Sequence, residues 1–565
     1  MGIDVSIKIG GAAGQGIQTV GDLLAEVARN SGLYIMAMND FESRIRGGHS
    51  FFQIRISDQP VMAPHHRVHL LVSLDKVTYD LHHQQLVEGG LAINDSGEES
   101  GADIINVPVT ELASQAGGRV MANTVAAGAI LGLAGAAFES FKSILEKRFL
   151  KKGQSVVDNN LKAAEAGFQA VAGKTFKHAF DWNQSSEKRP LINGSKSVAL
   201  GALAGDCRLA AFYPMSPATD IMSSLIPYTK NFPLVVEQVE DELAAVNMVL
   251  GASYTGVRAI TATSGGGFCL MVEGLGLSGI TETPLVIVNS QRPGPATGLP
   301  TRTAQADLMF VIFASQDEFP RFVFAPGTPE EAFEKTRLAF HLSEKYQVPA
   351  IVLTDEYFND SIFIAEKPFE VSETIDRFTV ADKDLADPEN YERYAVTETG
   401  ISPRALPCQG KALVMASGNE HTPDGHLSED PHNRKIMVEK RAAKLPAMIA
   451  EMQAPEAYYP DASTLLVGFG STKGAIREAL ELLRNENYDV GYLHFTDLWP
   501  FPTEKVQNLL KDNKKFICVE QNSTAQLGKL IRMQTGLSHF GTVLKYNGRP
   551  FFPIEIVEDV KKIME

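Results

Sequence analysis

The chain has 565 residues, enough for about three or four domains of common size. Apolar residues make up 44%, glycine is abundant at 47 residues and the formal net charge is −16, which describes a globular α/β chain. An acidic chain lacks the basic surface that displaces counterions from a duplex, so the composition argues against nucleic acid as a partner. Cys207, Cys269, Cys408 and Cys518 are widely scattered. This chain alone offers no iron–sulfur or zinc spacing, and the expectation is reduced core cysteines in a cytoplasmic protein.

The first block, residues 1–180, opens strand, glycine turn, helix over 5–9, 10–16 and 17–30, with no signal-like leader before it. Further strands are expected at 33–38, 51–56 and 69–73, and helices at 120–138 and 155–172. This alternation predicts a layered α/β domain. Residues 121–138 are uncharged but rich in Ala and Gly, with Asn123 and Thr124, so a buried helix is expected rather than a membrane span.

A polar link, 181–190, leads to a second block, 191–370. Short apolar strands at 210–212, 234–237, 258–263, 285–288, 322–325 and 350–353 alternate with helices, the pattern of a doubly wound parallel sheet covered on both faces. Residues 371–458 are less regular and contain one charged helix, roughly 434–452. The last block, 459–565, opens strand, turn, helix at 465–468, 469–472 and 473–484, with further strands at 489–494 and 516–520.

The stretch EDELAAVNMVLGASYTGVRAITATSGGG carries the most chemical information. A carboxylate pair opens an apolar helix, a short strand follows, and a Ser264-Gly265 turn ends the segment. A carboxylate carried into such a dry, glycine-lined setting is costly unless it meets a partner, and a cofactor ring nitrogen is one such partner. Tyr213-Pro214-Met215-Ser216-Pro217 follows a strand, and its prolines hold Ser216 in a rigid turn where open α/β sheets bind ligands. The loop QRPGPATGLPTRTAQ carries Arg292 and Arg302, and a rigid loop with a guanidinium suits a carboxylate. Alternatively its arginines pair with surface acids.

The N-terminal GGAAGQG turn presents backbone N–H groups and a helix start to an anion, through Gly14 and Gly16. It lacks the last glycine of a dinucleotide fingerprint, so the choice is between another phosphate or coenzyme and simple tight packing. Arg46 and Gly47 lie in a second glycine–basic turn that reads equally as a phosphate cradle or a solvated loop. His421 and His426 stand among carboxylates in a polar loop without firm ligand spacing, and no metal is assigned to them. P-loop, nucleophile-elbow and H-E-x-x-H patterns are absent, which argues against an NTPase, a serine hydrolase and a zincin.

Together these motifs resemble the 2-oxoacid:ferredoxin oxidoreductases over nearly the whole chain. Residues 1–180 resemble the family's gamma subunit through GGAAGQG and ESRIRGGHS. Residues 191–370 resemble the alpha-subunit pyrimidine-binding domain through YPMSP, EDELAAVNMVLGAS, TATSGGG and QRPGPATGLPTRTAQADL. Residues 459–565 resemble the transketolase C-terminal-like domain through VGFGSTKG, DLWPFP and VEQNSTAQLGKL. The resemblance is to a fused gamma–alpha large subunit. The family usually has YPITP and TSGPG; here Ser216 and Gly266 stand at the changed positions, keeping a hydroxyl and a tight turn.

The resemblance implies thiamine diphosphate, with Glu242 against its pyrimidine ring and Tyr213, Pro214, Ser264 and Gly265 around it. Glu240 and Asp241 are then the helix N-terminal carboxylates. It implies Arg302 for the substrate carboxylate, Ser216 for a hydrogen bond nearby, and coenzyme A as acyl acceptor, with Gly14, Gly16, Arg46 and Gly47 as candidate contacts. The chain has no G-D-G…N-N diphosphate–magnesium motif and no cluster cysteines. A separate beta subunit is therefore expected to bring Mg2+ and a 4Fe–4S cluster and to pass electrons to ferredoxin, in a dimer of heterodimers with no membrane association. The fusion favours 2-oxoglutarate; pyruvate, branched-chain and aryl 2-oxoacids are the alternatives, and a non-catalytic scaffold subunit is the alternative of another class.

Overall fold

The computed structural model describes residues 2–565 apart from 13–14, 44–47, 96, 98–100, 184–186, 188, 370, 372–373, 386–390, 411 and 512–513. The chain forms two compact units: residues 1–193 with 360–368 and 552–555, and residues 194–359 with 369–551 and 556–565. Both are layered α/β structures.

The first unit is built on an eight-stranded mixed sheet. Its central strand, Asp4–Ala12, pairs in parallel with Val68–Ser73 on one side and antiparallel with His49–Ser57 on the other. Leu86–Asn94 and Ile104–Asn106 extend the parallel half, while Tyr34–Asp40, Ile362–Ile364 and Leu191–Asn193 extend the antiparallel half. The apolar 121–138 stretch forms the helix Ala122–Leu133, buried from Thr124 to Leu131. Its small residues permit close contact with the helix Gln154–Ala170: a Cβ on Gly128 would stand 2.2 Å from Ala164 O, and one on Gly167 2.0 Å from Val125 O. The polar link is partly packed, since Trp182 is buried and its Nε1 donates to Ala134 O at 2.9 Å.

The second unit contains two sheets over a shared apolar core that runs from Ala211 to Ile531. The larger sheet has the spatial order Asp497–Trp499, Phe322–Phe324, Pro349–Asp355, Leu285–Gln291, Ala259–Thr263, Leu209–Phe212, Val235–Gln238. Its six strands from the second block are parallel; five are buried almost throughout, as fits strands covered on both faces, while the edge strand Val235–Gln238 is largely exposed. The expected parallel sheet of the second block gains one antiparallel strand at its edge from the last block. Asp497–Trp499, from the DLWPFP motif, joins antiparallel beside Phe322–Phe324 and is too short to show alternation in sequence. The smaller sheet runs Glu456–Tyr458, Val490–Phe495, Thr464–Phe469, Lys515–Glu520, Gly541–Leu544, parallel except for its first strand.

The single charged helix expected near 434–452 is two helices, Pro431–Ala442 and Leu445–Glu451, the second with Pro446 in its first turn, where a missing N–H is harmless. Both are pinned inward: Lys440 of the first and Lys444, the N-cap of the second, place Nζ 2.6 Å and 2.5 Å from the two oxygens of buried Glu282. His421 is fully buried against the Tyr394 ring, whereas His426 in the same loop is exposed. Cys207 and Cys518 are buried, but Cys269 and Cys408 are exposed, which corrects the expectation of four core cysteines. Among the described residues no helix is long and apolar enough to cross a membrane, and no cluster of three or more His, Cys, Asp and Glu could hold a metal ion.

Candidate active site

In the larger sheet, Leu209–Phe212 and Val235–Gln238 lie to one side and the later strands to the other. The chain crosses between them as it passes from Val235–Gln238 to Ala259–Thr263, making a switch point at which carboxyl-end loops part and ligands bind. Four consecutive loops meet at these carboxyl ends, and they hold the motifs singled out in the sequence.

Glu242 is the first residue of the helix Glu242–Tyr254, whose N-cap is Asp241; the Asp241 carboxylate accepts from Ala244 N at 2.7 Å. That cap satisfies a helix-end donor, typically worth about 1 kcal/mol, and leaves Glu242 free of this duty. Glu242 is only 3% exposed, and its Oε1 is buried without a hydrogen-bond partner. A buried carboxylate oxygen left unmatched costs stability, so it marks a place prepared for a donor from outside the chain.

The adjoining glycine turn shapes the space. Ser264 stands at the N-cap position of the helix Gly265–Thr281 without a side-chain capping hydrogen bond. A Cβ on Gly267 would stand 2.0 Å from Thr263 Oγ1 and 2.4 Å from Glu242 Oε1, and one on Gly265 would stand 2.4 Å from Asp307 Oδ2. The glycines therefore make room for two carboxyl groups at the first turn of one helix. Ser264 Oγ donates to Met215 Sδ at 2.8 Å, which joins this turn to the YPMSP turn. Within YPMSP, Tyr213 is 37% exposed and Ser216 is exposed; Pro214 lies between buried and exposed.

The guanidinium that meets the YPMSP turn is that of Arg292, whose Nη1 donates to Ser216 O at 2.7 Å. Arg302, ten residues on, lies against Gly548, where a Cβ would come within 3.1 Å of its own Cβ. Beyond it the loop is fixed by Thr303 Oγ1 donating to Asp355 Oδ1 at 3.2 Å and by Gln305, whose Nε2 donates to Phe469 O at 2.7 Å. Asn522 Nδ2 donates to Gln305 O at 3.0 Å. The smaller sheet's loops thus hold the loop that carries both arginines.

Sequence reasoning passed over Met215, Asn289 and Asp307. Asn289 Nδ2 donates to Asp307 Oδ2 at 3.2 Å while Asn289 Oδ1 is buried and unmatched. Burial pushes the Asp307 carboxyl up to about 6, against the opposing hydrogen bond from Asn289. Met215 and Asp307 both lie within quoted motifs, YPMSP and QRPGPATGLPTRTAQADL, while nothing local marks Asn289.

In the first unit, Gly16 adopts φ 75° as the N-cap of the helix Ile17–Asn30, which explains glycine there. Gln15 Oε1 accepts from Ala12 N at 2.7 Å, so that one N–H of the turn is already taken. Gly14, Arg46 and Gly47 lie outside the described residues.

The fold and the orphaned carboxylate at a sheet switch point define an α/β protein built to receive a cofactor. Residues 200–440 match the family model "Pyruvate flavodoxin/ferredoxin oxidoreductase, thiamine diP-bdg". Residues 6–170 match "Pyruvate ferredoxin/flavodoxin oxidoreductase", and 462–556 match "Pyruvate:ferredoxin oxidoreductase core domain II". The chain is 34% identical to a 2-oxoacid:ferredoxin oxidoreductase subunit alpha of a Sulfolobus species, over 99% of this chain and 97% of the relative. It is 29% identical to the 2-oxoglutarate oxidoreductase subunit KorA of Mycobacterium tuberculosis, over 98% of this chain and 90% of that one. A solved structure of 2-oxoglutarate:ferredoxin oxidoreductase from Magnetococcus marinus, with 2-oxoglutarate, coenzyme A and succinyl-CoA bound, matches with a TM-score of 0.92 and 30% identity, covering 100% of both chains. The chain belongs to the 2-oxoacid:ferredoxin oxidoreductase family, as an alpha-type subunit of a multi-subunit oxidoreductase with a thiamine diphosphate-binding domain.

Proposed function

We propose that this chain, joined by a beta-type subunit, interconverts 2-oxoglutarate, coenzyme A and oxidised ferredoxin with succinyl-CoA, carbon dioxide and reduced ferredoxin. The observation that carries the cofactor assignment is the buried, unmatched Glu242 Oε1 at the switch point. The choice of 2-oxoglutarate rests on full-length similarity to the Magnetococcus enzyme. Thiamine diphosphate, when bound, supplies the electron sink that lets carbon dioxide leave a 2-oxoacid.

Within this chain, Glu242 holds a hydrogen bond to the cofactor's pyrimidine ring nitrogen, in a setting that Gly267 keeps open and the core keeps dry. Tyr213, Pro214, Ser264 and Gly265 border the ring. Arg292 and Arg302 are the two candidates for the substrate carboxylate. Contact with the Ser216 turn favours Arg292, with the Ser216 hydroxyl as a hydrogen-bond partner nearby. Gly14, Gly16, Arg46 and Gly47 are the proposed coenzyme A contacts. The domains are assigned as gamma-type over 1–180, pyrimidine-binding over 191–370, connecting over 371–458 and transketolase C-terminal-like over 459–565.

The beta subunit brings Mg2+ and the 4Fe–4S cluster, and its docking face is formed by the helices Glu242–Tyr254 and Gly265–Thr281. Leu243, Met248 and Leu270 are exposed there, and a Cβ on Gly251, in mid-helix, would meet nothing within 4 Å. A helix-interior glycine costs about 1 kcal/mol relative to alanine, and this chain gives no packing reason for it; close approach of a partner does. The assembly is a cytoplasmic dimer of heterodimers.

The test is coexpression with the beta subunit, oxygen-free purification and an assay of coenzyme A-dependent viologen reduction with and without thiamine diphosphate. Thiamine-dependent reduction that favours 2-oxoglutarate over pyruvate is expected. A preference for pyruvate would overturn the substrate, and no reduction with any 2-oxoacid by a cluster-loaded complex would make this a binding subunit.

A further inference from the structure

The loop that carries Arg292 and Arg302 leaves the larger sheet at Gln291 and is fixed again at Thr303. Both ends rest on the neighbouring strand Pro349–Asp355, whose last residue lies opposite Gln291 in the parallel register. At the outgoing end, Gln291 Nε2 donates to Thr354 O at 3.2 Å, and the Ser290 and Thr354 hydroxyls share a hydrogen bond of 3.0 Å. Asn359, in the short helix Glu356–Asp360, donates from Nδ2 to Ser290 Oγ at 2.8 Å. At the returning end, Thr303 Oγ1 donates to Asp355 Oδ1 at 3.2 Å. Between these ends the loop folds on itself: Leu299 N donates to Pro293 O at 3.0 Å and Arg302 N to Leu299 O at 3.2 Å. A loop tied to itself in this way moves as a piece, so its base decides where both guanidinium groups reach.

Asp355 is the charged member of that base, and it is 1% exposed. Phe358 N donates to the same Oδ1 at 2.9 Å, and Ser471 donates through both its hydroxyl and its backbone N–H. Burial pushes the Asp355 carboxyl up to about 6 against these hydrogen bonds, so the donors offset only part of the cost of burying it. An amide in its place would carry no charge to bury, but it has one accepting oxygen and would turn an NH2 group toward donors. A carboxylate accepts on both oxygens. It can therefore hold donors from three segments at once: the arginine loop, its own strand end and the VGFGSTKG loop of the smaller sheet. Ser471 is in turn held from the VEQNSTAQLGKL segment, where Gln521 Nε2 donates to its Oγ at 3.3 Å.

We infer that Asp355 is a positioning residue for the reaction, an inference that rests on the substrate role proposed for the arginine loop. Through Thr303 on one side and Ser471 on the other, it fixes the reach of the loop's guanidinium groups toward the 2-oxoacid carboxylate, and it gives the smaller sheet a part in substrate binding. The bound 2-oxoacid carries a full carboxylate charge, which disperses as carbon dioxide leaves. Grip on that charge is made in the substrate complex and does not grow toward the transition state, so its loss falls on KM more than on kcat.

The test is steady-state kinetics of the coexpressed complex carrying Thr303→Val, Thr303→Ser, Ser471→Ala or Asp355→Asn, together with backbone hydrogen exchange over residues 292–302. Thr303→Val removes the hydroxyl at nearly constant shape and leaves Asp355 in place, so the outcome does not depend on Asp355→Asn folding. KM for 2-oxoglutarate is expected to rise about tenfold in Thr303→Val and in Asp355→Asn, with kcat within about threefold of native and the thiamine diphosphate and coenzyme A dependences unchanged. Ser471→Ala should move KM in the same direction, and Thr303→Ser, which keeps the hydroxyl, should restore it. Exchange over 292–302 should quicken in the variants whose KM rises. A general loss of stability would neither single out one substrate's KM nor be reversed by serine. Native KM and native exchange in Thr303→Val and Ser471→Ala would overturn the inference, as would equal rises in KM for Thr303→Val and Thr303→Ser. Native KM in both Arg292→Ala and Arg302→Ala would instead overturn the substrate role of the loop, and the exchange rates separate that failure from failure of the Asp355 anchor.

Discussion

At the scale of single residues, the site is a set of polar groups whose needs the chain itself does not meet. Glu242 Oε1 and Asn289 Oδ1 are buried and unmatched, while Ser216 and Arg292 meet at the rim. The roles of the two loop arginines separate by kinetics. Arg292→Ala should lower kcat/KM for the 2-oxoacid by about 30- to 1,000-fold, the loss of about 2–4 kcal/mol of transition-state binding, with Arg302→Ala milder. A reversed order of the two would return the substrate contact to Arg302. Asp307 gives a pH signature. Its folded value of about 6 lies above the ordinary value of 3.8, so its contribution to stability is greatest below about pH 4 and is lost as pH rises through 6. Asp307→Asn should flatten the stability profile across that window, measured by denaturant unfolding; an unchanged slope would show that the carboxyl is not the titrating group.

At the scale of elements, glycine and proline made the site legible, because they mark places where backbone conformation or close approach excludes other residues. TSGGG and YPMSP could be located on their strands from sequence for that reason, and Glu242 could be placed at a helix start. The proposed preference for Arg292 over Arg302 rests on its hydrogen bond to the Ser216 carbonyl, which no local pattern in their shared loop shows. Asn289, near the carboxyl end of the strand Leu285–Gln291, and Asp307, the N-cap of the helix Leu308–Phe313, meet across the intervening loop, a contact with no local pattern. The glycine argument is testable in Gly267→Ala. Alanine ordinarily favours a helix by about 1 kcal/mol over glycine, but here the new methyl would stand 2.0 Å from Thr263 Oγ1 and 2.4 Å from Glu242 Oε1. The clash wins: a loss of about 1–3 kcal/mol in stability is expected, with weaker thiamine diphosphate binding by calorimetry. A variant more stable than the native chain would mean that the turn relaxes freely.

At the scale of the molecule, the alternation of strand and helix announced layered α/β architecture in every block, since long apolar runs and glycine turns survive any tertiary context. The short edge strands did not announce themselves: Asp497–Trp499 and Glu456–Tyr458 are each three residues long and owe their conformation to a neighbour. Edge strands supplied by distant segments also bind the second unit into one body, with the smaller sheet's loops holding the arginine loop of the larger. The exposed helix face around Gly251 is the docking face proposed for the partner. Gly251→Trp should leave the isolated chain folded, since the position is open, yet weaken its association with the beta subunit by at least about tenfold in a sedimentation or interferometry assay. Association at native strength would move the docking face elsewhere.

The most direct test of the whole account is Glu242→Gln in the assembled complex, assayed for thiamine diphosphate- and coenzyme A-dependent reduction of a viologen dye by 2-oxoglutarate. The substitution keeps the shape and removes the carboxylate. A fall of about 100-fold or more, with assembly and cluster content unchanged, is the predicted result. Activity near that of the native complex would contradict the assignment of Glu242 as the residue that meets the cofactor.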